Sequence, residues 1–258
     1  MNGPGEGERL PSSIGGLVDL GFETYLARAP LYLLLALVTC VLCAAVDYLV
    51  PAGNTGAEQI RDLIMIWVEV LANAFVIALV ALDVGGRVAG EIPATRALVR
   101  AALLRWGRVA IAAILVQYLV LVTSDYGILA GPLDPLAVLL APFVWLLWGT
   151  LSLAPPLAAL SAESHGTFAA LTSFVRAFSF GLHANNFARL VLLLLATVAP
   201  LLLETVLVDV AARSNFPHAE FWCNFPVDTL VAAPLAALQT TFALDFARRT
   251  GRLGRRQP

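Results

Sequence analysis

The chain is predicted to be an all-α, polytopic integral membrane protein with six transmembrane helices and amphipathic helices on its inner surface. Composition is the first observation: 59% of its 258 residues are hydrophobic and 13% charged, against about 25% charged in a typical soluble domain. Mean hydropathy is +0.82. The second is a set of six long apolar stretches, roughly 31–50, 63–82, 109–123, 136–153, 190–208 and 229–246, each close to the ~20 residues that cross a hydrocarbon layer of about 30 Å. The third is charge placement. All sixteen basic residues are arginine, and the gap from Asp83 to Arg108 holds five, whereas the gap from Ser124 to Pro135 holds Asp125, Asp134 and none. Cytoplasmic loops retain arginine, so both termini are expected inside, in a multi-pass protein of a bacterial inner membrane.

Residues 1–29 read as an N-terminal tail and interfacial helix. Met1 to Pro11 lacks a basic region ahead of the apolar run, so no cleaved signal peptide is expected. Ile14, Leu17, Val18, Phe22 and Leu26 share one helical face, with Asp19, Glu23 and Arg28 on the other, the pattern of a helix lying in the interface. Pro30 suits the junction with the first span, since the residue before a proline is pushed from helical geometry. Residues 30–247 form the six-helix transmembrane domain. Pro51 to Glu58 reads as an outer turn. After the second span, Gly85, Gly86 and Pro93 are expected to break the chain before a basic helix starting at Thr95, whose Arg96, Arg100 and Arg108 share a side. The fourth span contains Pro142, and a kink or break is expected by Pro155 and Pro156. Phe168, Leu171, Val175 and Phe178 form a stripe at helical spacing, predicting a third inner-surface helix. The outer loop repeats Asn-Phe-Pro at 215–217 and 224–226 around Phe221 and Trp222, aromatics of the kind that anchor an interface. Residues 248–258 form a basic cytoplasmic tail in which Arg248, Arg249, Arg252, Arg255 and Arg256 are the lipid-anchoring candidates, each contributing about 1 kcal/mol beside an anionic leaflet.

The run from Ala154-Pro155 through Glu163, Gly166 and Ala170-Leu171 to Asn186-Phe187 and Arg189-Leu190, with Asp245 and Arg249 closing the sixth span, resembles the membrane region of bacterial glycerophosphodiester phosphodiesterases and related six-span proteins. Ser173, Phe174 and Ala247 depart from that pattern. The resemblance implies a membrane module without that enzyme's soluble catalytic domain and without its activity.

Candidate functional residues follow from depth. If the second span enters near Ile60, Glu69 lies about 13 Å deep at 1.5 Å per residue, where a carboxylate costs on the order of 2.5–3.5 kcal/mol. Asn73 follows one turn later, and the same arithmetic brings Gln117, Thr197 and Gln239 to a similar level. This midplane polar cluster is either hydrogen-bonded glue, at roughly 0.6 kcal/mol per bond, or a polar pocket with Glu69 as its ionisable element. No catalytic residue is assigned: the chain has no lysine, so no phosphate-binding Gly-x-x-x-x-Gly-Lys loop, and neither a zinc-binding His-Glu-x-x-His helix nor a Gly-x-Ser-x-Gly elbow. Cys40 and Cys43 read as packing groups. His218, Glu220, Cys223 and Asp228 match no ligand pattern, so no metal or cofactor is expected, and His165 and His183 read as caps or interface residues.

These observations favour a non-enzymatic inner-membrane module with a membrane-organising, sensing or transport-accessory role. An ABC-2-type transporter permease subunit is the alternative and an intramembrane enzyme resting on Glu69 the third. The expected partners are membrane lipids and an ATPase or other membrane protein; no nucleic acid is expected.

Overall fold

The computed structural model describes residues 10–49, 55–123, 135–162, 166–213 and 219–249. Among these the secondary structure is helical throughout: α1 (Ile14–Ala27), α2 (Ala29–Leu49), α3 (Thr55–Val88), α4 (Thr95–Thr123), α5 (Pro135–Leu151), α6 (Ala154–Leu160), α7 (Gly166–Gly181), a 3₁₀ turn (Ala184–Asn186), α8 (Phe187–Arg213) and α9 (Ala219–Arg249). Four apolar helical segments among the described residues are long and apolar enough to cross a membrane, Ala29–Val46, Leu63–Val88, Pro142–Leu160 and Leu230–Arg249, and Phe187–Pro200 is a shorter one. Large apolar side chains such as Leu34, Val41, Leu195 and Val206 are exposed on several helices. A soluble monomer seldom exposes so much apolar surface, and together with the four long apolar segments this points to a membrane protein.

α9 is the central helix. Of the Leu230–Arg249 segment 67% is buried, against 22% of Ala29–Val46, so α9 lies inside the bundle and α2 at its edge. Sequence explains the difference: Ala233, Ala236, Ala237, Thr240, Thr241 and Ala243 are all buried, and small side chains let helix backbones approach closely in a membrane. Buried hydroxyls find acceptors on their own helices, Thr240 Oγ1 donating to the Ala236 carbonyl at 2.7 Å and Ser173 Oγ to that of Ala169 at 2.6 Å, which satisfies them in the preceding turn.

α1 forms as its residue pattern predicts. Ser13 caps it, its hydroxyl accepting from the Gly16 N–H at 3.1 Å. Its inward face, however, is Leu17, Gly21 and Thr24, packed along α9, whereas Phe22 and Leu26 are exposed. α3 runs through Gly85 and Gly86 to Val88, one turn past the expected break. It stops at Gly90, whose φ is +80°: the Gly90 N–H donates to the Arg87 carbonyl at 3.0 Å and the Glu91 N–H to that of Gly86 at 2.8 Å. This bond pair is a Schellman motif, which needs left-handed backbone at that glycine.

The break after the fourth apolar stretch is present at Ser152-Leu153, with Pro155 and Pro156 in the first turn of α6, where missing N–H groups cost nothing. α6 is buried from Ala154 to Ala159, wedged among α3, α4 and α7. α7 turns small residues inward, Ala169, Ala170, Ser173 and Ala177, with Phe180. The stripe of Phe168, Leu171, Val175 and Phe178 is exposed.

Candidate functional site at the arginine-rich end

Asp83 and Asp245 have no exposed side-chain surface, and each gathers arginines from several helices. Asp83 lies near the end of α3. Tyr32 Oη of α2 donates to its Oδ2 at 2.8 Å, Arg87 Nε to its Oδ1 at 3.3 Å, and Arg28 Nε lies 3.0 Å from Oδ2. That last approach is off the angle of a hydrogen bond, so it is a coulombic attraction. Arg28 stands at the α1–α2 junction and spends its terminal nitrogens elsewhere, donating from Nη1 to Thr95 Oγ1 at 2.9 Å and from Nη2 to the Pro93 carbonyl. One side chain thereby ties the start of α2 to the end of α3 and the start of α4.

Asp245 closes the other half. Arg189 Nε donates to its Oδ2 at 2.9 Å, Arg249 Nε to Oδ2 at 2.8 Å and Arg248 Nη2 to Oδ1 at 2.6 Å. Arg248 and Arg249 meet it because residues three and four apart are neighbours on a helix, and Arg189 arrives from α8. Arg248 also donates to the carbonyls of Leu10 at 2.7 Å and Pro11 at 3.1 Å, and Arg189 Nη2 to that of Ser12 at 3.4 Å. The segment before α1 is thus bound to the ends of α8 and α9. Nearby, Arg105 and Arg108 of α4 donate to the Ala159 carbonyl at 2.6 and 3.3 Å, where the α6 C-terminus carries partial negative charge.

Charge does not balance here. Among the described residues two guanidiniums face Asp83 and three face Asp245, a surplus of one positive charge at the first carboxylate and two at the second. Beside Asp83 a cavity of about 580 Å³ opens between one face of α1 and the turn after α3, lined by Asp19, Glu23, Thr24, Arg87, Gly90 and Ile92 among others.

The sequence-predicted candidates lie elsewhere. Gln239 is buried on α9, whereas Glu69 is exposed on α3, so the two face different surroundings; Asn73, Gln117 and Thr197 are half-buried. Thr197 Oγ1 donates to the Leu193 carbonyl of its own helix at 2.8 Å. Of the tail arginines, Arg248 and Arg249 are engaged by Asp245, and Arg252, Arg255 and Arg256 fall outside the described residues. So do His165 and His218, and the side chains of Glu220, Cys223 and Asp228. His183 caps α7, its Nδ1 lying 2.7 Å from the Ser179 carbonyl. Cys40 is buried and Cys43 half-buried on α2, and among the described residues no group of three or more potential metal ligands is gathered.

Asp83 and Asp245 are not among the site candidates that depth along the spans picks out. The available signal was their spacing to Arg87, Arg248 and Arg249, which marks two ion-pair turns. No family model, curated protein or solved structure matches the chain.

Proposed function

We propose that the protein is a non-enzymatic six-span membrane module that organises lipid at the cytoplasmic face, with both termini on that side. The observation that carries this reading is the convergence of helix ends on one arginine-rich face. Arg28 precedes α2, Arg87 ends α3 and Thr95 begins α4, their side chains gathered about Asp83 and Arg28, while Arg189 begins α8 and Arg248 ends α9, both bonded to Asp245. Helices that alternately leave and return to one face cross in opposite directions. α4 and α8, at 29 and 27 residues, are about 44 and 40 Å long at 1.5 Å per residue, enough to join the four apolar segments as crossings.

Arginine surplus supports a cytoplasmic position for that face, where it would lie against anionic headgroups. Arg96 and Arg100 are exposed at the start of α4, adding to the attraction. The exposed stripe of α7 then lies in the inner leaflet, as a helix too short to cross and apolar on its outer side.

Impermeant-thiol labelling tests the orientation. A cysteine at Glu91, in the exposed turn after α3, should react only after permeabilisation, and native Cys223 should react in intact cells. Labelling of Glu91→Cys from outside would overturn the topology.

A further inference from the structure

We infer that the cavity beside Asp83 is a binding site for a zwitterionic phosphoethanolamine headgroup. The site is built from charges of both signs. Asp19 and Glu23 are four apart on the exposed side of α1 and both line the cavity. Like charges at that spacing weaken a helix, so they are poor choices for holding α1 together. They do supply two carboxylates on one wall. The opposite wall carries Arg87, which shares the single carboxylate of Asp83 with Arg28, so that wall keeps a surplus positive charge.

A ligand that satisfies both walls carries an ammonium toward Asp19 and Glu23 and an anionic group toward Arg87. The volume of about 580 Å³ is within the range of small-molecule sites. Charge-assisted hydrogen bonds to carboxylates need N–H donors. A quaternary ammonium has none, and it is recognised instead by aromatic cages, whereas no aromatic side chain is among the described residues that line this cavity. Ethanolamine is therefore selected over choline. Ile92, 75% exposed, and Leu20 give the rim apolar surface against which the start of an acyl chain would lie.

This inference rests on the membrane reading but on neither orientation, since a nanodisc opens both faces. The full chain is reconstituted in nanodiscs of equal phosphatidylethanolamine, phosphatidylcholine and phosphatidylglycerol, extracted in detergent, and its retained lipids are counted by native mass spectrometry. Phosphatidylethanolamine should exceed phosphatidylcholine about tenfold, the worth of one to two charge-assisted bonds. In the D19N/E23Q variant the excess should fall to near parity while phosphatidylglycerol does not decrease, since two charges that repel an anionic headgroup are gone. Ile92→Trp, which fills the mouth without altering charge, should lower it too. If free phosphoethanolamine competes, the soluble headgroup suffices; if it does not, the glycerol-linked lipid is required; either supports the site when the excess depends on Asp19 and Glu23. Parity in the unaltered chain, or an excess that survives both variants, would overturn the proposal. Loss of this preference leaves the topology standing, and inverted thiol labelling leaves the cavity's ligand standing.

Discussion

At the residue scale, Asp83 and Asp209 carry the same chemistry in opposite surroundings. Asp209 pairs with Arg213 four residues on, with both side chains more than half exposed, and exposed pairs contribute roughly 0–1 kcal/mol. Asp83 has no exposed side chain and two arginines to hold, and removing one partner of a buried pair costs about 3–5 kcal/mol through the charges it strands. Asp83→Asn is therefore expected to lower unfolding stability in detergent by several kcal/mol, and Asp209→Asn by less than about 0.5. Tyr32→Phe removes only the 2.8 Å bond to Asp83, with an expected loss of about 2 kcal/mol. Equal effects of Asp83→Asn and Asp209→Asn would remove the distinction. The ion-pair spacing of both buried aspartates is legible in the sequence; their burial is not. It depends on Arg28 and Arg189, 55 and 56 residues away in sequence, arriving from other helices. Glu69 shows the converse. Depth along a helix follows from counting residues, but which way the side chain faces follows from packing, and Glu69 is on the exposed side.

At the element scale, helix identity was readable and helix ends only in part. Pro30 and Pro155-Pro156 mark boundaries that the structure keeps, because prolines act locally. Gly85-Gly86 did not end α3, since neither takes left-handed backbone; Gly90 does. Gly107 offers the contrast, lying within α4 with nothing near enough to meet an added methyl group. Gly90→Ala is expected to cost about 1–2 kcal/mol, and Gly107→Ala to contribute about 0.5–1 kcal/mol of stability. Thermal unfolding of the two variants should shift in opposite directions. A shared sign would mean that the Schellman turn does not end α3. For α7 the periodicity announced a helix, yet a stripe alone does not say whether it faces protein or lipid. Alanine and serine on the opposite face decide it, because only that face fits closely against α4, α5 and α6.

For the whole molecule, closure depends on groups far apart in the chain. Arg248 reaches the carbonyls of Leu10 and Pro11 across separations of 238 and 237 residues, so the segment before α1 and the end of α9 form one junction. Deleting residues through Ser12 is expected to reduce stability by about 1–3 kcal/mol through the carbonyl acceptors lost and to speed proteolysis after Arg248; an unchanged cleavage rate would show that the junction does not hold the end of α9. The arrangement also sets an order of events during synthesis. Arg28, Tyr32, Asp83 and Thr95 all lie well before the middle of the chain, so their cluster can assemble early. Arg189 emerges 56 residues before Asp245, and at 5–20 residues per second it waits roughly 3–11 s for its carboxylate. For that interval an arginine destined for burial has no counterion from α9, and a chain cut short before Asp245 would keep it in that condition permanently. The last turn of α9 thus decides whether the start of α8, the end of α9 and the segment before α1 can be locked together.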